Sequence, residues 1–173
     1  MDYRMGVVVG LASGLLVGLL VVVLLRRRKV LDFTFDERQE RARGVAFKYA
    51  FFTLLVSVFL YGVSEMAVGR WCDAMAGGCL CIAVSITVFA VICILKDAYL
   101  GLKERPRQIM TLFALIALVN LGLGAVQASR AGLLEDGVLS FRVVNPVMGV
   151  MMLVVLAVYI VNFLLRDREM GKE

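Results

Sequence analysis

The chain has 173 residues, 61% of them hydrophobic, with no histidine and a formal net charge of +5. A soluble domain is only about half apolar, so this composition excludes an ordinary soluble domain and places the chain among membrane proteins. The absence of histidine removes the commonest general base and metal ligand, and the basic residues flank apolar runs instead of forming a patch, which argues against nucleic acid as a partner.

The long apolar runs predict helices, because an outer-membrane barrel would show short alternating segments. The first run, residues 6–25, ends in Arg26-Arg27-Arg28-Lys29. It is long enough to cross a hydrocarbon core as a helix. It is read as a retained span and not as a cleaved signal peptide: the basic cluster follows the run, and no small-x-small cleavage site is present. Gly6, Gly10, Gly14 and Gly18 recur every fourth residue. Small residues at that spacing let another helix approach to backbone contact. The strip fits packing inside the chain or a seam in a homo-oligomer.

Val30 to Phe35 reads as an interfacial piece. The charged stretch Asp36-Glu37-Arg38-Gln39-Glu40-Arg41-Ala42-Arg43 follows. Asp36 with Gln39, or Thr34 with Glu37, has the spacing of a capping box, and Glu37 with Arg41 is a favourable i,i+4 pair. This predicts a short cytoplasmic helix leading directly into the second span, residues 45–67, with Glu65 at its outer end. The charges of Asp36 to Arg43 nearly cancel. A lipid-binding patch would be more one-sided, whereas mixed charges suit a docking face. Glu37, Arg38, Gln39 and Arg41 are therefore the candidate docking residues, toward inner loops of the same chain or a cytoplasmic protein.

The outer loop holds Trp71, an expected interface anchor, and Cys72. Together with Cys79 and Cys81 it forms a cluster: a Cys72–Cys79 or Cys72–Cys81 bridge would close a small loop on an oxidising side, while cysteine also serves as a small apolar packing residue. The third span, residues 78–95, carries Ser85 and Thr87, both expected to bond back to their own helix. An inner loop with Lys103, Arg105 and Arg107 leads past Pro106 to the fourth span, residues 109–128. Asn120 stands near the middle of that span, where a lone amide is expected to bond across helices. Glu65, Asn120, Gln127 and Asn162 are the polar side chains that a transporter would call on, and of these Asn120 is the strongly polar one near mid-membrane.

In the second outer loop Glu135-Asp136-Gly137 signals a turn, and Val138 to Val144 is expected either to pair as a short strand or to lie on the membrane. Asn145-Pro146 is expected to be N-cap and first residue of the fifth span, residues 147–165, which Arg166-Asp167-Arg168 closes.

With the N-terminus outside, fifteen of the nineteen lysines and arginines lie on inner segments, and only Arg4, Arg70, Arg130 and Arg142 lie outside. The positive-inside rule then predicts an all-α bundle of five transmembrane helices in one domain, N-terminus out and C-terminus in, in the cell membrane.

The run Phe35-Asp36-Glu37-Arg38-Gln39, followed by Ala42-Arg43-Gly44 and Phe47-Lys48-Tyr49-Ala50-Phe51, resembles a family of small bacterial multi-pass membrane proteins of unknown function. Its members place an Asp-Glu-Arg-Gln motif between the first membrane helix and the next. The resemblance implies class and location and carries no activity. No catalytic, cofactor or metal signature stands out. The expected role is therefore a non-enzymatic membrane protein acting through helix and cytoplasmic-face contacts. A small oligomeric channel or carrier is the alternative, and a membrane thiol-redox enzyme comes last. The bilayer, further copies of the chain, and a membrane or cytoplasmic protein are the expected partners.

Overall fold

The computed structural model describes residues 3–27, 34–102 and 105–170. The sequence readings on Arg28, Lys29, Val30 to Phe33, Lys103 and Lys172 lie outside the described residues, as do the surroundings of Gly6 and Gly10. Five α-helices carry the fold: α1 (Tyr3–Arg27), α2 (Glu37–Val68), α3 (Ala74–Leu95), α4 (Pro106–Ala131) and α5 (Val144–Met170). A small hairpin of β1 (Leu134–Glu135) and β2 (Val138–Leu139) joins α4 to α5. Four stretches, Glu37–Val68, Ala74–Leu95, Pro106–Ala131 and Phe141–Leu165, are long and apolar enough to cross a membrane.

The helices begin and end where local chemistry dictates. Asp36 caps α2, so the charged stretch and the apolar run form one continuous helix. Pro106 opens α4, where its missing N–H costs nothing. Helix α3 closes in a Schellman motif: Asp97 N–H bonds Ile94 O at 3.1 Å and Ala98 N–H bonds Cys93 O at 2.8 Å. The left-handed residue of that motif is Asp97, at φ 53°, where glycine is commoner. In the hairpin Asp136 (φ 51°) and Gly137 (φ 79°) form the two-residue turn anticipated from sequence. Their positive φ values match a type I′ turn, whose twist suits the flanking strands.

Three packing interfaces organise the bundle: α2 with α3, α3 with α5, and α4 with α5. Helix α1 belongs to none of them. Helix α3 therefore lies between α2 and α5, and it contributes more buried residues than any other helix. Apart from Ile94 these are small: Ala76, Gly77, Cys81, Ala83, Ser85, Ala90 and Cys93. Small residues allow close backbone approach without any hydrophobic drive between helices. A Cβ on Gly77 would stand 2.5 Å from the Tyr61 ring, and one on Gly149 would stand 2.7 Å from Leu121. Ser85 donates to Ala50 O at 2.8 Å, tying α3 to α2. It does not bond back to its own helix as expected, because the backbone of α2 comes within reach; Thr87 does bond back, to Ala83 O. The larger apolar core is Ala90, Ile94 and Val155, surrounded by Tyr99, Phe113, Val158 and Tyr159.

Two readings of the second loop need correction. Only Val138 and Leu139 form strand; Phe141 to Val143 wind into a short 3-10 turn that runs directly into α5. Helix α5 consequently begins at Val144, and Asn145 lies inside its first turn instead of capping it. Pro146 remains acceptable there because first-turn N–H groups lack helical partners. The Asn145 amide donates instead to Gln127 Oε1 at 3.0 Å.

Candidate functional site

The head of α2 is where the charged stretch meets the rest of the fold. Gln39 N–H donates to Asp36 Oδ1 at 2.6 Å, and Asp36 N–H donates to Gln39 Oε1 at 3.2 Å. That is a complete capping box; the alternative pairing of Thr34 with Glu37 is not the one used. The box occupies the Gln39 carbonyl oxygen and thereby directs the amide nitrogen away from the helix end. Gln39 Nε2 donates to Asp97 O at 2.9 Å and to Leu100 O at 3.3 Å, both on the turn after α3. The side chain is only 7% exposed. One helical turn on, Arg43 Nη1 donates to Ala98 O at 3.1 Å. Its guanidinium stacks 4.0 Å from the Phe35 ring centroid and 5.4 Å from that of Phe89. Leu102 N–H also reaches Thr34 O at 3.1 Å. The segment before α2 and its first two turns thus grip residues 97–102.

A second helix holds the end of α3 just before that turn. Asn162 on α5 donates Nδ2–H to Ile94 O at 3.2 Å. Beneath the turn lies a cavity of about 160 Å³ lined by Ile94, Asp97, Tyr99, Leu100, Tyr159 and Asn162. Helix ends expose carbonyls without helical partners. Here amide and guanidinium donors from α2 and α5 satisfy carbonyls around the end of α3.

The candidate docking residues therefore separate. Gln39 points inward and is consumed by the fold. Glu37 and Arg41 pair with each other at 2.6 Å, each about four-fifths exposed, and Arg38 is exposed. Arg43, not singled out from sequence, shares the inward face. Its i+4 spacing from Gln39 was the available signal.

The other sequence candidates are dispersed. Gly14 and Gly18 are exposed, with nothing within 4 Å of a Cβ placed on either. Asn120 donates to Ile116 O at 2.8 Å, one turn back in its own helix, instead of across helices. Glu65 is half-buried and accepts from Tyr61 Oη at 2.8 Å. Trp71 Nε1 donates to Ser64 Oγ at 2.8 Å, and its ring stands edge-on to Tyr61. The cysteines are unbridged thiols; Cys72, Cys81 and Cys93 are buried. Burial, with help from Asp73 and Glu65, pushes the Cys72 thiol above its ordinary range. Its neighbours Trp71 and Asp73 bond the backbone of Leu139 on both sides, joining the α2–α3 loop to the hairpin.

In comparisons with known proteins, no family model, no curated protein and no solved structure matches the chain.

Proposed function

We propose that the chain is a five-span protein of the cell membrane, N-terminus outside and C-terminus inside, that acts without catalysis through its helix surfaces and its cytoplasmic collar. Accessory, regulatory and scaffold roles all have this form. The observation that carries the reading is the sorting of the Asp36–Arg43 stretch. Gln39 and Arg43 fix the collar to the turn after α3, while Glu37, Arg38 and Arg41 remain on the surface. Charged groups held on a rigid mount favour selective contact, since complementary charges set partner choice and register more than raw affinity.

Two further features support it. Fifteen of nineteen basic residues fall on the side assigned to the cytoplasm. Helix α1, taken as the fifth span, takes part in none of the three main packing interfaces among the described residues and exposes Leu15, Leu16, Leu19 and Leu20 together with Gly14 and Gly18. That surface suits a helix of a partner or of another copy. The same reading takes the chain as a relative of the small bacterial family that its Asp-Glu-Arg-Gln motif resembles. The test is a cross-linking survey in native membranes comparing the parent with an Arg38→Glu/Arg41→Glu variant. Loss of a specific neighbour with insertion intact is the expected result. An unchanged set of neighbours would refute a contact role for the collar.

A further inference from the structure

Near neutrality of the Asp36–Arg43 stretch holds along the chain but not around the helix. Arg38, Arg41, Ala42 and Val45 follow i, i+3, i+4, i+7 spacing, so they form one stripe of α2. Lys96, the C-cap of the neighbouring α3, comes up beside them. Together these five residues line an open groove of about 340 Å³. Among the described residues its polar lining is three cations and no carboxylate. Glu37 touches Arg41 from the edge, and that pair is exposed enough to exchange partners readily. Arg43, the other cation of the stretch, is turned inward and spent on Ala98 O and the Phe35 ring.

The floor of the groove is apolar. Ala42 and Val45 lie where the charged collar gives way to the apolar span, and the stripe continues at helical spacing through Tyr49 and Phe52, which are 58% and 54% exposed. Lys48 lies on the same stripe and is also exposed. A ligand that fits must present a phosphate or similar anion to Arg38, Arg41 and Lys96 and an extended apolar body along Val45, Tyr49 and Phe52. A free anion would leave the apolar stripe unused, and an acidic peptide would need more polar lining than the floor offers.

We propose that this groove binds the headgroup of one anionic phospholipid, with the phosphate between Arg38, Arg41 and Lys96 and an acyl chain along Val45, Tyr49 and Phe52. The site rests on the membrane reading above and names one of the collar's contacts. Bound there, the lipid bridges α2 to the end of α3 from outside, opposite the Gln39 and Arg43 bonds that bridge them from within.

The experiment uses the full chain, extracted in mild detergent from vesicles of equal phosphatidylglycerol and phosphatidylcholine, and native mass spectrometry of retained lipid. One phosphatidylglycerol is expected to survive, with phosphatidylcholine stripped. The Arg38→Gln/Arg41→Gln/Lys96→Gln variant should lose that retention on the order of tenfold or more. Arg130→Gln, at the far end of α4, should not change it, and Glu37→Gln, which releases Arg41, should keep or raise it. Helicity by circular dichroism checks that each variant is folded, and the single variants Arg38→Gln and Lys96→Gln give the same reading if the triple variant fails that check. Undiminished retention in the folded variants would overturn the proposal. So would equal retention of both lipids, displacement of the lipid by inorganic phosphate, or an acidic protein segment found in its place. Whole-cell thiol labelling tests orientation separately, so lipid retention with reversed labelling would overturn the orientation and leave the groove standing.

Discussion

Replacing Gln39 by alanine removes three hydrogen bonds at once. Asp36 N–H loses its acceptor, and Asp97 O and Leu100 O lose a shared donor. A typical internal hydrogen bond contributes about 0.5–1.5 kcal/mol net, and stranding a buried acceptor costs about 1–3. Asp36 is exposed, so water can replace its partner, and the bond to Leu100 O is long. The loss should therefore come to about 2–3 kcal/mol. For chains of this size each kcal/mol corresponds to roughly 2–4 °C, which gives a fall of roughly 4–12 °C in the thermal midpoint measured by differential scanning fluorimetry in detergent. Arg41→Ala is the internal comparison. It breaks only an exposed i,i+4 pair and should cost a few tenths of a kcal/mol, within about a degree of the parent. Gln39→Glu is the sharper variant, because it keeps the shape and the acceptor for Asp36 N–H but sets a carboxylate oxygen against two backbone carbonyls. It should be at least as unstable as Gln39→Ala and should speed amide exchange in the turn after α3. A Gln39→Glu protein as stable as the parent would refute the grip on residues 97–102.

Glycine substitutions should divide by position. Gly77→Ala forces a Cβ into the Tyr61 ring and should cost about 1–3 kcal/mol by overpacking, read as a lower thermal midpoint. Gly14→Ala and Gly18→Ala meet open space and should leave the monomer's midpoint unchanged; on a native gel they change size only if α1 forms a seam with another chain. Ser85→Val should weaken the α2–α3 interface by about 0.6–2 kcal/mol, the range for interhelical hydrogen bonds in membranes, measured by the same fluorimetry. Cys72, buried and with its thiol shifted upward, holds less thiolate than an ordinary cysteine at any pH below that raised value, so in the folded protein it should react with maleimide more slowly than the half-buried Cys79. Equal rates would place Cys72 in solvent. For orientation, Leu134→Cys on the hairpin should react with an impermeant thiol reagent on whole cells and Arg107→Cys should not, in a background without other cysteines. Leu134 is the appropriate site because it is 58% exposed, whereas Ser140 nearby is buried and bonded to Leu133 O.

Helix positions were legible because long apolar runs and charged ends are one-dimensional signals. The spans expected at 45–67, 78–95 and 109–128 each sit inside the observed helices, which extend further at their ends. The extensions were harder to see, since polar first turns such as Glu37 to Arg43 are held by capping and tertiary bonds and not by apolar periodicity. The Asp136-Gly137 turn was readable from residue type alone. The turn after α3 was not: its left-handed residue is Asp97, so no glycine marks it. The start of α5 was misplaced because Asn-Pro is a strong N-terminal signal, yet the 3-10 turn before it had already begun the winding. At the candidate site, sequence treated Glu37, Arg38, Gln39 and Arg41 as one unit. The capping box with Asp36 was the clue that separates Gln39, because an amide with its oxygen committed to the helix end has its nitrogen left for something else.

The grip on the α3–α4 turn has a consequence for how the bundle coheres. Among the described residues the main packing interfaces run α2–α3, α3–α5 and α5–α4, so the principal route from α2 to α4 passes through α3 and then α5. Residues 97–102 lie between α3 and α4, and they are held by Gln39 and Arg43 from α2, while Asn162 from α5 bonds the end of α3 just before them. Donors from α2 and α5 therefore satisfy carbonyls of the turn and of the end of α3 respectively, and α4 begins shortly after that turn. In an apolar surrounding, an unsatisfied carbonyl costs more than it would in water, so each of these donors opposes separation of its helix from the turn. A shift in the collar is then communicated to α5 through the backbone of residues 94–100, which α2 holds at Asp97, Ala98 and Leu100 and α5 holds at Ile94. The exposed cations Arg38 and Arg41 stand on the same two turns of helix as Gln39 and Arg43, which makes the surface where a lipid or protein would bind mechanically continuous with the joint that ties the bundle together.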